Sequence, residues 1–190
     1  MPLKFRHAGQ ACITANRVYV QNGVYQKFSA LISERVSQLR VGHGADKSTT
    51  MGPLTVPAGV EKVASQIQEA TSQGATVLTG GKKIEKDGGY FFEPTVVGNV
   101  TSNMKMAQEE TFGPLLALLP FETEEEAVRE ANNTSMGLAS YFFTKNVDRT
   151  WRLLENLEAG MIGMNSGKLP SALIILRLVL TPTCRKRICS

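Results

Sequence analysis

The run LLALLPF at residues 115–121 is apolar at every position, with no alternation of wet and dry side chains. A strand with one solvated face alternates. An uninterrupted run of this length belongs to a strand buried on both faces, as in the middle of a parallel sheet covered by helices. Directly after it, Thr123 and Glu126 form a capping box that opens a helix, TEEEAVREANN, whose acidic first turn suits the positive end of the helix dipole. Directly before it stands EETFGP (109–114), which places two carboxylates, an aromatic ring and Gly113–Pro114 at the strand entrance. In open α/β sheets the loops at strand ends collect functional groups. The same six residues also fit a plain acidic turn.

Further out, helical and extended patterns alternate from about residue 16 to 165. RVYVQ (17–21) and ATVLTGG (75–81) are short and rich in strand formers, and YFFEPTVVGNV (90–100) is a longer extended stretch. Val24, Phe28, Leu31, Ile32, Val36 and Leu39 recur at helical spacing over 24–39, and Val60, Val63, Ile67 and Ala70 do so before Gly74. ASYFFT (139–144) predicts another strand. DRTWRLLENLEA follows it as a helix with Trp151, Leu154 and Leu157 facing inward, and MIGMN (161–165) closes the series. Strands separated by helices of this length predict βαβ units and an α/β fold with a mainly parallel sheet. No internal repeat is present.

The 190 residues suffice for one well-buried domain, or one domain plus a tail. Charge separates the two parts. Residues 167–190 carry five basic side chains and no acidic one, leaving 16 basic against 17 acidic residues elsewhere. A near-neutral body argues against a nucleic-acid binder, and RKR at 185–187 is too short and too isolated to act as one. The longest apolar stretch, ALIILRLVL (172–180), is interrupted by Arg177 and falls far short of the ~20 residues that span a bilayer. The polar PLKFRHAGQ after Met1 does not resemble a signal peptide, and three sparse cysteines imply a reducing compartment. The expected location is cytoplasmic, with a mitochondrial one left open.

One of those cysteines, Cys12, lies in GQAC just ahead of the first strand. A lone cysteine is commonly a small core residue. Here CITANR suggests one short helical turn, and a thiol at a helix start, with Lys4 and Arg6 nearby, has its thiolate favoured. Both roles, core thiol and nucleophile, fit the residues.

Taken together the stretches resemble one family. FRHAGQACITANR is similar to the active-site cysteine segment of the aldehyde dehydrogenases, and MAQEETFGPLLALLPF resembles their cofactor-contacting segment. TTMGPL (49–54), GGYFFEPTVVGNV, FETEEEAVREANNTSMGLASYFFT and EAGMIGMN follow in the family's order, so the resemblance covers roughly residues 4–166. KFR at 4–6 points within the family to the succinate-semialdehyde dehydrogenases. The resemblance implies the doubly wound catalytic domain of that family over 1–166, followed by an atypical tail over 167–190.

It also implies roles. Cys12 is the nucleophile that forms a thiohemiacetal with the aldehyde, its backbone N–H stabilising the oxyanion. A thioester follows hydride transfer to NAD or NADP, and water releases the acid. Glu110 holds the nicotinamide ribose and Phe112 lies beside the ring. Arg6 grips the distal carboxylate of succinate semialdehyde, a task suited to a planar bidentate donor, or else makes a surface ion pair. Asn165 lies near the inner end of the substrate channel, or forms a simple strand-end turn. No metal is implied.

Three departures accompany the match. The family's dinucleotide-binding half, with its general-base glutamate and the asparagine of its oxyanion hole, precedes the cysteine, so these 190 residues are expected to be inactive alone. After Asn165 a phenylalanine–glycine–glycine segment and a C-terminal strand that joins a partner subunit are expected. GKLPSALIILRLVL stands there instead, as in an out-of-frame translation or a divergent tail. Thr14 occupies the place of a second cysteine that many succinate-semialdehyde dehydrogenases carry, so a disulfide switch is not expected. The alternative to an enzyme segment is a non-catalytic chain that docks on a full-length relative or another partner.

Overall fold

The computed structural model describes residues 2–86 and 88–166, and beyond them the backbone of 175 and 176. The chain divides into two compact units, the first running from Leu3 to Glu122 and the second from Thr123 onward.

The first unit is built on a four-stranded sheet. Its strands are β1 (Arg17–Gln21), β2 (Thr76–Thr79), β5 (Thr95–Gly98) and β6 (Leu115–Phe121), in the order β1-β6-β5-β2. β1 and β5 flank β6 in parallel, and β2 runs antiparallel along the edge of β5. β6 is the stretch LLALLPF, and Leu115 to Leu119 are all buried, as its unbroken apolar run predicts. A fully buried leucine such as Leu118 stabilises the fold by about 2 kcal/mol relative to an exposed one. A separate antiparallel pair, β3 (Lys83–Ile84) and β4 (Phe91–Phe92), carries the front of the YFF stretch. Glu93 and Pro94 separate β4 from β5, so the extended segment over 90–100 is two short strands.

Before β1 come a single helical turn, α1 (Pro2–Phe5), and a 3₁₀ turn over Arg6–Gly9. Two long helices follow. α3 (Pro57–Ser72) opens on proline, whose fixed φ suits a first helical position, and buries Val60, Val63, Ile67 and Ala70 as predicted, together with Gln66. α2 (Asn22–Ser37) corrects the expected face. Its buried residues are Tyr25, Ser29 and Val36, while Val24, Phe28 and Leu31 face solvent. Tyr25 sets this rotation: its hydroxyl accepts the Asn99 N–H at 2.7 Å beside the end of β5, and the small Ser29 allows the helix to lie close.

The second unit contains α5 (Glu124–Asn132), β7 (Ala139–Phe142), α6 (Val147–Asn156) and β8 (Met161–Met164). β7 and β8 pair in parallel, and a two-residue strand, β9 (Ile175–Leu176), pairs antiparallel with Met161–Ile162. The expected cap is present, the Glu126 N–H donating to Thr123 Oγ1 at 3.2 Å. Both α5 and α6 are tied through Glu124, which accepts from Arg149 Nε at 2.8 Å and from Arg152 Nε at 2.7 Å. Trp151 departs from expectation. It is 59% exposed, whereas Leu154 and Leu157 are buried. The small core of this unit, Phe142, Leu154, Leu157, Ala159 and Ile162, reaches only the last turn of α6, and Trp151 lies one turn too early. The rest of the tail beyond Ser166, including Cys184, Cys189 and RKR, lies outside the described residues, as does any strand that would join a partner subunit. Among the described residues no helix is long and apolar enough to cross a membrane.

Candidate active site

Cys12 sits in a four-residue turn, Ala11–Thr14, closed by the Thr14 N–H on Ala11 O at 3.0 Å. The turn leads straight toward β1, and the thiol is exposed. The expected helix start is therefore not what surrounds it. Thr14 explains the difference, because its hydroxyl donates back to Ala11 O at 2.8 Å, a local bond that favours a turn over a continuing helix.

The approach to the turn is unusual. His7, Ala8 and Gly9 have φ of 51°, 55° and 78°, three successive residues in the left-handed region. Such geometry is costly for His7 and Ala8 and persists only where neighbours enforce it. At Gly9 they do: the Gly113 carbonyl lies against its Cα, leaving no room for a side chain. Gly113 is pressed in turn from α3, since a Cβ there would lie 2.5 Å from Val63 Cγ2. The GQAC stretch and the EETFGP stretch therefore meet backbone to backbone.

Two carboxamides flank the thiol and reach out to distant loops. Gln10 Oε1 accepts from the backbone N–H of Thr55 at 2.9 Å and from its hydroxyl at 3.0 Å, and Gln10 Nε2 donates to Pro53 O at 3.3 Å. Asn16 Nδ2 donates to Met106 O at 3.1 Å and Glu109 O at 2.9 Å, and its Oδ1 accepts the Thr111 N–H at 3.0 Å. The loop held by Asn16 follows α4 (Lys105–Gln108) and carries Glu110 and Phe112. Glu110 is exposed, and Phe112 is 42% exposed with φ of 50°. The carboxylate and the ring thus both reach solvent on the loop that Asn16 holds.

Lys4 completes this layer. It is 3% exposed, and burial pushes its ammonium down to about 8, while the Glu110 carboxylate acts in the opposite direction. Arg6 is exposed and lines an open groove of about 650 Å³ together with His7, Gln10, Met51, Pro53 and Thr55. Cys12 is not among the groove's lining residues. No hydrogen bond or ion pair engages the Arg6 guanidinium among the described residues.

Asn165 belongs to the second unit, with φ of 52°. Its Oδ1 accepts the Thr144 N–H at 2.8 Å and its Nδ2 donates to Thr144 O at 2.9 Å, so both polar ends are engaged in tying the ends of β7 and β8. Among the described residues no group of three His, Cys, Asp or Glu is placed to hold a metal.

Of the residues that organise the site, Gln10 and Asn16 do not emerge from the sequence patterns, and Lys4 emerges only as a positive charge near Cys12. Asn16 left no signal, because an asparagine just before a strand is an ordinary boundary residue. The burial of Lys4 left no signal either, because lysine is almost never fully buried.

The aldehyde dehydrogenase family profile matches residues 1–174. A mitochondrial succinate-semialdehyde dehydrogenase from Oryza sativa subsp. japonica is 50% identical over 164 residues, which are 86% of this chain and 31% of that protein. A probable NADP(+) succinate-semialdehyde dehydrogenase from Sinorhizobium fredii is 48% identical over 168 residues, 88% of this chain and 34% of that one. Among solved structures, the succinate-semialdehyde dehydrogenase from Burkholderia pseudomallei superposes with a TM-score of 0.85 at 46% identity, over 87% of this chain and 34% of that one. The chain thus spans about a third of the length of the relatives it matches.

Proposed function

The chain belongs to the aldehyde dehydrogenase family, and we propose from this premise that it carries the thiol and part of the cofactor site of an enzyme oxidising succinate semialdehyde to succinate. The observation that carries the proposal is the junction of the Cys12 turn with the Glu110–Phe112 loop, closed by Gly9 on Gly113 and by Asn16. The exposed Glu110 carboxylate offers acceptors for ribose hydroxyls, and Phe112 offers a flat face beside them, so these residues fit a nicotinamide nucleoside. NAD or NADP bound there supplies the hydride acceptor.

Cys12 Sγ, as thiolate, attacks the aldehyde carbon and becomes bonded to it as a thiohemiacetal. The Cys12 N–H donates to the oxygen as it gains charge. With the aldehyde hydrogen gone as hydride, the acyl group remains on Sγ as a thioester. Water cleaves that bond, giving the carboxylic acid and restoring the thiol. Arg6 holds the carboxylate at the far end of the substrate, which its unengaged guanidinium supports. For Asn165 a place near the inner end of the channel remains part of the proposal, although its carboxamide is already committed to Thr144.

The chain spans about a third of the length of its relatives, so the complete reaction is proposed for the full-length enzyme. A second proposal, a non-catalytic chain docked on a partner, draws support from the exposed Val24 and Leu31 of α2 and Val147 and Trp151 of α6.

A chimera that supplies the other two thirds from a relative separates these readings. It should reduce NAD or NADP with succinate semialdehyde, and Cys12→Ser should abolish this. Arg6→Ala should weaken succinate semialdehyde about 30-fold or more, while sparing an uncharged aldehyde of similar length. An equal loss for both aldehydes makes Arg6 structural. An inactive but folded chimera removes the catalytic proposal.

A further inference from the structure

Asn16 stands between the Cys12 turn and β1, and its carboxamide bonds to three backbone groups lying 90 to 95 residues further along the chain. All three belong to one short segment. Met106 O and Glu109 O accept from Nδ2, and the Thr111 N–H donates to Oδ1. The peptide groups on both sides of Glu110 are thus held by one side chain, while Glu110 itself remains exposed. The Glu109 N–H is also engaged, on Lys105 O at 2.8 Å, so the loop is restrained where it leaves α4.

A second layer supports the first. The Ala15 N–H donates to Leu3 O at 3.2 Å, which sets Lys4 one residue from the segment bearing Asn16. The buried Lys4 ammonium lies within the electrostatic reach of Glu110. The residues that lead from the thiol into β1 therefore meet the backbone of the Glu110 loop directly, and through Leu3 they adjoin the lysine that faces its charge.

Few side chains could replace Asn16. Aspartate keeps the acceptor for Thr111 but turns a carboxylate oxygen toward two carbonyls. Alanine leaves all three backbone groups without this partner, and partly buried groups without a partner are costly.

We propose that Asn16 is a positioning residue whose carboxamide fixes the Glu109–Thr111 loop, and with it the directions of Glu110 and Phe112, against the Cys12 turn. The proposal rests on the reading of Glu110 and Phe112 as the nicotinamide-nucleoside site and adds the element that holds that site to the thiol.

The test uses the full 190-residue chain, isotope-labelled for NMR, as wild type, Asn16→Ala and Asn16→Asp. Amide exchange is measured at Thr111 and along β6, and nicotinamide mononucleotide is the binding probe. In Asn16→Ala the Thr111 amide should exchange about ten-fold faster or more, while Leu116 to Leu119 keep their protection. The shifts that the mononucleotide induces at Thr111 and Phe112 in the wild type should disappear. Asn16→Asp, which keeps the acceptor, should retain more Thr111 protection than alanine. If Asn16→Ala loses the protection of β6 altogether, Asn16→Asp decides on the same two readouts. Unchanged Thr111 exchange in the variants, or mononucleotide shifts of wild-type size in Asn16→Ala, overturns the proposal. A wild type that ignores the mononucleotide defeats the nucleoside-site reading instead, and Thr111 exchange then judges Asn16 alone.

Discussion

Gly9 and Gly113 touch through their backbones: the Gly113 carbonyl occupies the space where any side chain at position 9 would begin. Gly9 also has φ of +78°, a conformation that alanine adopts only with strain. Gly9→Ala should therefore destabilise the first unit by about 3 kcal/mol, as a backbone clash and a disfavoured φ combined. Gly113→Ala clashes with the Val63 side chain and not with backbone, at a φ that alanine can adopt, and should cost less, about 2 kcal/mol. Urea denaturation of the full chain compares the two, and the reverse order would contradict the contact.

Cys12 lies exposed on its turn, with no core contact to lose. Cys12→Ser should leave the circular dichroism spectrum and the urea midpoint unchanged to within about 0.5 kcal/mol. Iodoacetamide should label the wild-type Cys12 peptide in the folded chain, as mass spectrometry can read directly. A Cys12 that reacts only after denaturation would place the thiol in the core.

Lys4 ties stability to alkaline pH. Burial lowers its pKa from 10.5 to about 8 in the folded chain, against the opposing pull of Glu110. Between those values the unfolded chain binds the proton and the folded chain does not, so stability rises with pH across the window. The full rise is roughly 3 kcal/mol, and the contribution is flat below the folded pKa. Lys4→Met should stabilise the chain at pH 7 and flatten this slope. Denaturation midpoints of wild type and variant from pH 7 to 10 provide the comparison. Parallel curves would mean that the ammonium is solvated.

Glu124 acts at the other end of the scale and in the second unit. The hydrogen bond from Arg152, then that from Arg149, holds its carboxyl at about 2 instead of 4.5, with partial burial opposing. Its contribution is present above pH 4.5 and is lost as pH falls through about 2. Both arginines are about half exposed, so the network should contribute only about 1 kcal/mol. Glu124→Gln should speed amide exchange in α6 about five-fold at pH 7. Wild type and variant should converge, once corrected for intrinsic exchange, toward pH 2. A difference that persists there would assign the effect to packing.

Much of the fold was legible because its causes are local. LLALLPF names a strand buried on both faces by composition alone, the Thr123–Glu126 pair marks where α5 begins, and the spacing of Val60, Val63, Ile67 and Ala70 identifies the buried face of α3. The segments carrying Cys12 and Glu110 were legible in the same way, as short motifs in a family order.

What remained hidden depends on surfaces that meet only in three dimensions. An apolar pattern states which residues could be buried, but not which surface receives them. Val24, Phe28 and Leu31 therefore lost their place to Tyr25 and Ser29, and Trp151 overshot a core too small to reach it. The turn at Cys12 was decided by the hydroxyl of Thr14, where the local pattern had suggested a helix start. The carboxamides of Gln10 and Asn16 find their partners 45 and more than 90 residues away. Hydrogen bonds over such separations leave no periodicity in the chain, because they are selected by which loops the sheet brings together. The same holds for Lys4, which is buried in the folded chain within the electrostatic reach of Glu110, more than 100 residues away. Residue type and spacing determined the elements and the chemistry available to this protein, and tertiary packing decided which polar groups meet, since only packing removes them from water.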